Sequence, residues 1–253
     1  MASNRLYSPK YVREIIDKYG FKFSKSLGQN FLIDGNIVRK IVQGANITKE
    51  DYVLEIGPGI GTLTEELALN AKKVVAVELD EKLLPVLDES LQDYDNVEII
   101  KKLIHEKLYG GEVKVVANLP YYVTTPILGM LLEESLNIDS ITVMIQKEVA
   151  DRMLASPGSK TYGALSVFIN FYSNPEIILK VPKTVFMPQP KIDSTVIRLN
   201  IIRNFEDVDR DQLFKVVKAA FSKRRKTLLN ALSSYGFDLD KEIIKNLLEE
   251  IQI

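Results

Sequence analysis

The tetrapeptide Asn-Leu-Pro-Tyr at residues 118–121 contains the residue types that most clearly suggest chemistry. It follows the apolar run Val113–Ala117, which is typical of a buried strand. The exocyclic amine of a purine base is a poor nucleophile because its lone pair is conjugated with the ring. Two hydrogen-bond acceptors outside the ring plane would draw that nitrogen towards tetrahedral geometry. The side-chain oxygen of Asn118 and the backbone carbonyl of Leu119 could form such a pair.

The other two residues of the tetrapeptide suit the same task. Pro120 has a fixed φ and restricts the residue before it, so it would hold the Leu119 carbonyl in place. Tyr121 could stack on the base, a contact worth about 1–3 kcal/mol. Taken alone, however, the tetrapeptide fits a plain strand followed by a proline turn equally well.

A glycine loop at residues 57–61 strengthens the chemical interpretation. Its sequence is Gly-Pro-Gly-Ile-Gly, and this spacing differs from the dinucleotide fingerprint G-x-G-x-x-G. Gly57 and Gly59 would let the backbone approach a ligand closely. Glu78 closes the next apolar strand and could accept hydrogen bonds from both ribose hydroxyls of a nucleoside. The loop, this acid and Asn118, in that chain order, predict an S-adenosylmethionine-dependent methyltransferase.

The composition excludes other kinds of site. The 253-residue chain has no cysteine and a single histidine, His105. We therefore expect no disulfide framework, no metal site and no histidine base. No apolar run approaches the roughly eighteen residues of a membrane span, and the N-terminus has no apolar signal core. We expect a cytoplasmic protein.

The net charge of −1 does not indicate a polyanionic partner, but two local clusters of basic residues do. One lies in the first 30 residues, and the other is the run Lys-Arg-Arg-Lys at residues 223–226. Contacts with RNA phosphates need such local patches whatever the total charge. The predicted RNA-binding residues are Lys22, Lys25, Arg224, Arg225 and Lys226. For either cluster alone, a solvated helix surface is the simpler interpretation.

Strand and helix patterns alternate from residue 52 onwards, which predicts an α/β fold with a doubly wound, Rossmann-like parallel sheet. The predicted strands cover residues 52–56, 73–78, 97–100, 113–117 and 140–146, and the predicted helices cover 62–70, 81–91 and 125–135. Two later apolar runs, 165–172 and 194–200, predict an antiparallel hairpin at the sheet edge. Ligands bind at the carboxyl ends of parallel strands, so Gly57, Glu78 and Asn118 should meet in one crevice.

Helical patterns occupy both ends of the chain. Ser8-Pro9 predicts the start of a helix that ends at Gly20, and a second helix is expected over residues 34–44. After about residue 204 the strand patterns stop, and a helical stripe of apolar residues follows, interrupted at the basic cluster. We predict an S-adenosylmethionine-binding methyltransferase domain over residues 1–204, with a basic N-terminal segment, and a small helical RNA-binding domain over residues 205–253.

Seven motifs spread over nearly the whole chain resemble the small-subunit ribosomal RNA adenine dimethyltransferases. They are Gln-Asn-Phe-Leu (29–32), Glu-Ile-Gly-Pro-Gly-Ile-Gly (55–61), Asn-Leu-Pro-Tyr-Tyr (118–122), Gln-Lys-Glu-Val-Ala-Asp-Arg (146–152), Tyr-Gly-Ala-Leu-Ser (162–166), Val-Phe-Met-Pro-Gln-Pro (185–190) and Phe-Ser-Lys-Arg-Arg-Lys (221–226). The resemblance implies the transfer of two methyl groups to each of two adjacent adenosines near the 3′ end of small-subunit ribosomal RNA. It places the protein in ribosome biogenesis, with a pre-assembled small ribosomal subunit as partner. We expect a monomer.

The resemblance also implies roles for individual residues. Asn30 and Leu32 would contact the cofactor, Gly57 would lie against its methionine part, and Glu78 would bind its ribose. Asn118 and Leu119 would hold the target amine. The last pair, Tyr121 and Phe186, would sandwich the adenine, which must leave its stack to be reached. The alternative interpretation of Phe186 is a core aromatic.

Two departures from the family pattern affect the cofactor site and the chain length. The stretch after Ile100 has no acid where the family places one against the cofactor's adenine, so we assign no residue to that role. The connection to the next strand is also short, and the family usually continues beyond Ile253. We expect both departures to reflect flexible segments missing from this sequence rather than a divergent enzyme.

Three other functions fit parts of the same pattern. A large-subunit adenine methylase that confers antibiotic resistance would share the fold and the chemistry, but the sequence Tyr-Tyr-Val-Thr-Thr-Pro at 121–126 favours the small-subunit type. A non-catalytic RNA-binding assembly factor would not need Gly57, Glu78 and Asn118 together. A methyltransferase acting on protein glutamine would have a proline in place of Leu119.

Overall fold

The larger of the two sheets in the computed structural model, which describes residues 5–20, 29–101, 111–133, 136–203 and 208–253, has seven strands. Its strands are β2 (Tyr52–Ile56), β3 (Lys73–Val77), β4 (Val97–Ile100), β5 (Val113–Asn118), β6 (Ile138–Gln146), β7 (Ser173–Val181) and β9 (Ser194–Ile201). They lie in the order β4-β3-β2-β5-β6-β9-β7. The first five are parallel, whereas β9 and β7 are antiparallel to their neighbours. The predicted doubly wound sheet is confirmed.

The strand order explains where a ligand can bind. The chain leaves β2 towards β3 and β4 on one side and returns to add β5 on the other, so the order reverses between β2 and β5. The carboxyl ends of parallel strands open a crevice at such a point. Two more strands, β1 (Phe31–Leu32) and β8 (Phe186–Met187), form a separate antiparallel pair.

The described residues also form ten α-helices, and two of them are capped by residues that the sequence suggests. The helices are α1 (Pro9–Tyr19), α2 (Gly35–Gly44), α3 (Thr62–Asn70), α4 (Leu84–Ser90), α5 (Thr124–Glu133), α6 (Lys147–Met153), α7 (Ala164–Tyr172), α8 (Arg210–Ala220), α9 (Leu228–Ser233) and α10 (Lys241–Glu250). Ser8 caps α1 by accepting from the Tyr11 N–H at 3.1 Å, and Gly20 ends this helix with φ 59°. Asp34 caps α2 by accepting from the Asn36 N–H at 2.8 Å. None of the helices in the described ranges is long and apolar enough to cross a lipid bilayer.

One sequence prediction is wrong: residues 165–172 form the helix α7 and not a strand. The run is apolar apart from Ser166 and Asn170, and over so few residues periodicity does not distinguish a buried strand from a buried helix. The run's aromatic side chains pack on Phe214 of α8, with ring centroids 5.1 Å away for Phe168 and 5.7 Å away for Tyr172. Tertiary packing of aromatic rings therefore decides its structure.

The predicted edge hairpin is consequently built from other residues. β9 is one of its strands, as expected, but its partner is β7, which follows α7 directly. The sequence obscures β7 because it contains Pro175, which cannot donate to a ladder. Since β7 lies at the edge of the sheet, the missing N–H is tolerated there.

The chain divides into two compact units. The first contains the described residues up to Asp151 together with Ser173–Ile201, and the second contains Arg152–Tyr172 together with the described residues from Ile202 to Ile253. The second unit thus holds α7 in addition to the C-terminal helices. Its core includes Ala219, Leu232 and Ile244, one from each of α8, α9 and α10.

Candidate active site

A pocket of about 740 Å³ opens at the carboxyl ends of β2, β3 and β5, within the first unit. This volume lies within the roughly 300–1,000 Å³ that is typical of small-molecule sites. The sequence-predicted residues that line it are Asn30, Leu32, Gly57, Gly59, Glu78, Asn118, Leu119 and Tyr121. The structure therefore brings together residues that are far apart in the chain.

The glycine loop after β2 forms one wall of the pocket. Gly57 and Gly59 adopt φ angles of 73° and 63°, in the left-handed region that favours glycine. A Cβ atom at Gly59 would stand 3.0 Å from the ring of Phe31, whereas a Cβ atom at Gly57 would meet nothing within 4 Å. A hydrogen bond from the Gly57 N–H to the Val77 carbonyl, at 3.0 Å, joins the loop to the end of β3. Its backbone therefore borders open space that a ligand could fill.

Glu78 follows β3 and is tied to the same loop. Its Oε2 atom accepts from the Gly59 N–H at 3.2 Å, and its Oε1 atom accepts from the Asp80 N–H at 2.9 Å. Burial raises the pKa of Glu78, and hydrogen bonds from the backbone of Asp80, Gly59 and Leu79 lower it. A carboxylate has about four acceptor positions, so these bonds leave it able to accept more. The group is placed to receive a further donor, as a ribose would supply.

Asn118, the last residue of β5, has a defined orientation. Its Nδ2 atom donates to the backbone carbonyl of Asn30 at 3.2 Å. A backbone carbonyl can only accept hydrogen bonds, so the nitrogen of the carboxamide must face Asn30. The Oδ1 atom is then the part of this side chain that can accept a donor from a ligand. The segment before β1 thus fixes the orientation of the side chain at the end of β5.

The residues after Asn118 form a tight turn. The side chain of Leu119 is fully buried, and the Pro120 carbonyl accepts from the Val123 N–H at 3.1 Å. Tyr121 is partly buried, and its hydroxyl lies 3.0 Å from the Ser194 hydroxyl in hydrogen-bonding geometry. Burial raises the pKa of Tyr121, so the phenol stays neutral at physiological pH. The ring is therefore anchored at its far end on strand β9.

Phe186 lies elsewhere, because it is not among the residues that line the pocket. It pairs with Leu32 across the β1–β8 ladder, and only 4% of its surface is exposed. Its side chain belongs to a core cluster that also contains Met144 and Val196. The structure thus places Tyr121 at the pocket and Phe186 in the core.

Comparison with known proteins decides the family. The chain matches the ribosomal RNA adenine dimethylase family over residues 20–250. It is 56% identical over 256 residues to the ribosomal RNA small subunit methyltransferase A of Alkaliphilus oremlandii (strain OhILAs), an alignment that covers 97% of this chain and 89% of the relative. The protein of the same name from Clostridioides difficile (strain 630) is 52% identical over 261 residues, covering 99% and 90%. This chain belongs to the ribosomal RNA adenine dimethylase family.

Solved structures agree with this assignment to the dimethylase family. A dimethyladenosine transferase from Plasmodium falciparum superposes with a TM-score of 0.76 at 25% identity, covering 87% of this chain and 89% of that one. The 23S rRNA methyltransferase ErmE gives a TM-score of 0.68 at 26% identity, with the same coverage. The enzyme class and the Rossmann-like fold expected from the sequence are thus confirmed.

Glu55 is a pocket residue of this dimethylase that sequence reasoning missed. It lies within β2, lines the pocket and is 1% exposed. Burial raises the pKa of Glu55 to about 8 and the charge of Glu78 adds to this effect, while the neighbouring Thr64 hydroxyl lowers it. Glu55 and Thr64 nevertheless miss hydrogen-bonding geometry, and neither Glu55 Oε2 nor Thr64 Oγ1 has a partner among the described residues. The feature of the sequence that could have identified Glu55 is an acidic residue in an otherwise apolar strand.

The predicted RNA-binding residues of the dimethylase are only partly described. Lys22 and Lys25 lie outside the described residues. Arg224, Arg225 and Lys226 are exposed in the second unit, but the apolar stripe that contains them is not one helix. It is divided into α8 and α9, and the three basic residues lie in the connection, where the Lys226 N–H donates to the Lys223 carbonyl at 3.1 Å. The interruption in the stripe therefore marks a break between two helices.

Proposed function

We propose that this protein transfers methyl groups from S-adenosylmethionine to the exocyclic amines of two adjacent adenosines near the 3′ end of small-subunit ribosomal RNA, two to each. The observation that carries this proposal is the oriented carboxamide of Asn118 in the same pocket as Glu78. Relatives at 52–56% identity over nearly the whole chain are named as small-subunit methyltransferases, which supports the choice of RNA.

The residues of the pocket fit S-adenosylmethionine. Glu78 can still accept from ribose hydroxyls, and the absence of a Cβ at Gly57 leaves open space against the backbone. The apolar side chain of Leu32 and the polar one of Asn30 both line the pocket. When bound, this cofactor supplies a methyl group that its positively charged sulfur makes electrophilic.

The protein's own groups would prepare the amine. In the first transfer, Asn118 Oδ1 and the Leu119 carbonyl accept the amine's two hydrogens from outside the ring plane, so the nitrogen lone pair is withdrawn from conjugation. In the second transfer, one of these two oxygens accepts the hydrogen that remains. Tyr121 stacks on the adenine, which has left its base stack. The two hydrogen bonds strengthen as the nitrogen becomes tetrahedral, so they stabilise the transition state more than the ground state. The methylated nitrogen then sheds its proton to water, so the mechanism uses no base from the protein.

Recognition of the ribosome would fall to residues outside the pocket. We assign phosphate contacts to Arg224, Arg225 and Lys226, and also to Lys22 and Lys25 of the N-terminal segment. The partner would be a pre-assembled small ribosomal subunit in the cytoplasm, and the protein would act as a monomer. The role of Phe186 as the second face of a base sandwich stays a prediction, since it would require this buried ring to move into the pocket.

A second candidate function is methylation of large-subunit RNA, which the likeness to ErmE favours. Incubating isolated small and large ribosomal subunits with the protein and labelled S-adenosylmethionine distinguishes the two. We expect label in small-subunit RNA alone. Label in large-subunit RNA alone would establish the second function, and no transfer to either RNA would reject both.

A further inference from the structure

The turn that carries the catalytic tetrapeptide has a second tyrosine that the proposed mechanism does not use. Tyr122 lines the pocket beside Tyr121, yet 57% of its surface is exposed. Tyr121 is anchored on Ser194. Among the described residues, by contrast, nothing hydrogen-bonds to Tyr122 or stacks on its ring. A large aromatic ring that lines the pocket is therefore more than half exposed.

The pocket wall continues from Tyr122 along α5. It is formed by Val123, Pro126, Ile127 and Met130, none of which carries a charge. Pro126 and Met130 are four residues apart and so lie on the same face of the helix. A phosphate would find no partner on this wall, whereas the flat, weakly polar face of a base would. The uncharged wall and the aromatic ring are therefore suited to bind a nucleobase rather than a phosphate.

The position of this surface indicates which nucleotide of the RNA supplies that base. An adenosine held by Asn118 and Tyr121 must be joined to a neighbouring nucleotide that stays outside the pocket. Tyr122 directly follows Tyr121, whose ring stacks on the target base. Because consecutive Cα atoms are about 3.8 Å apart, the two tyrosines leave the backbone close to each other. An exposed aromatic ring stacks on any base without reading its edge.

We propose that Tyr122 is a stacking platform for the nucleotide adjacent to the adenosine being methylated. This inference rests on the proposed function, since it requires an RNA target bound at Asn118. It assigns Tyr122 a role in substrate binding that is separate from the chemical step. Because the two target adenosines are neighbours, the platform would hold one of them while the other occupies the pocket.

The test compares Tyr122→Ala with the wild-type enzyme on two substrates. One is the small ribosomal subunit reassembled with unmodified RNA, and the other carries an abasic nucleotide in place of one of the two adenosines. Methylation of the remaining adenosine is followed by mass spectrometry. On unmodified RNA we expect Tyr122→Ala to lower kcat/KM about tenfold, mainly through KM, because one base stack is removed. On the abasic substrate the variant and the wild type should be equally slow.

Two controls distinguish a loss of stacking on the neighbouring nucleotide from an effect on the target adenosine or on the fold. Tyr122→Phe retains the ring and should match the wild type on both substrates, and the affinity of Tyr122→Ala for S-adenosylhomocysteine should be unchanged. An equal loss for Tyr122→Ala on both substrates would overturn the proposal, because the ring would then act on the target or on the fold. Full activity of Tyr122→Ala on unmodified RNA would also overturn it. Wild-type enzyme inactive on unmodified subunits would instead reject the proposed function, and the platform with it.

Discussion

The carboxamide of Asn118 is oriented by a hydrogen bond to the backbone carbonyl of Asn30. Its role in the mechanism is confined to the moment at which the amine becomes nucleophilic. We therefore expect Asn118→Ala to slow methyl transfer by at least about a hundredfold, as is typical when a polar group that acts in the transition state is removed. Cofactor and RNA affinities should change much less. Single-turnover kinetics would measure the effect, and a variant that loses affinity but keeps its rate of transfer would contradict this role.

Glu78 should matter for binding rather than for the rate of the chemical step. Glu78→Ala removes a buried charged acceptor, and a hydrogen bond to a charged group contributes about 1.5–3 kcal/mol. Calorimetry with S-adenosylhomocysteine should show a loss of affinity of this size. Glu78→Gln is the matched control, because it keeps the size and one acceptor oxygen and should bind with intermediate affinity. Unchanged affinity in Glu78→Ala would remove this residue from the cofactor site.

Glu55 should make the stability of the cofactor-free protein depend on pH. Its pKa is raised from 4.5 to about 8 in the folded state, so the folded protein holds a proton that the unfolded chain releases above pH 4.5. Fewer protons on the unfolded state mean that the stability of the protein falls as the pH rises from 4.5 to about 8. Urea denaturation of wild type and Glu55→Gln at several pH values should show a shallower decline in the variant. Equal slopes would mean that Glu55 is ionised in the folded protein.

At the scale of elements, the glycine loop should tolerate no side chain at Gly59. Gly59→Ala combines a left-handed φ with a Cβ only 3.0 Å from the Phe31 ring, so it should lower both stability and cofactor affinity. Gly158→Ala is the matched control, since Gly158 also has a positive φ, of 84°, but has open space around it and does not line the pocket. The control should lose about 1–2 kcal/mol of stability and no affinity. Comparable cofactor affinity in the two variants would show that Phe31 yields to the new side chain.

Elements whose apolar residues form short runs separated by clear turns were predictable from the sequence. β2, β3 and β5 are such runs, and the parallel arrangement then brought Gly57, Glu78 and Asn118 to one edge. The helix α7 was not predicted, because its mostly apolar run is too short for periodicity to decide and its aromatic side chains pack against Phe214. The strand β7 was hidden by Pro175, which an edge position tolerates.

The site was predictable in its parts but not in its internal contacts. Residue types and spacing identified Asn118 and Glu78, whereas the hydrogen bond from Asn118 to Asn30 joins segments 88 residues apart and has no local signal. Glu55 was missed because one acidic residue within an apolar strand pattern does not by itself indicate a functional role. The burial of Phe186 depends on the pairing of two-residue strands, which sequence patterns do not resolve.

At the scale of the whole molecule, RNA affinity should depend on the basic connection between α8 and α9. Replacing Arg224, Arg225 and Lys226 with alanine should weaken binding to small subunits and flatten its salt dependence, by about one unit of slope for each phosphate that the variant no longer neutralises. Cofactor affinity should not change. Filter binding across a salt titration would measure the slope, and a slope equal to that of wild type would identify this connection as a solvated surface.

Mass spectrometry of ribosomal RNA tests the central claim most directly. Small ribosomal subunits that lack the modification would be incubated with S-adenosylmethionine and either wild-type protein or Asn118→Ala, and the RNA would be digested and mapped. We predict two adjacent dimethyladenosines near the 3′ end with the wild-type protein, and unmodified adenosines with the variant. Methyl groups at other positions, or the same two dimethyladenosines with Asn118→Ala, would contradict the account.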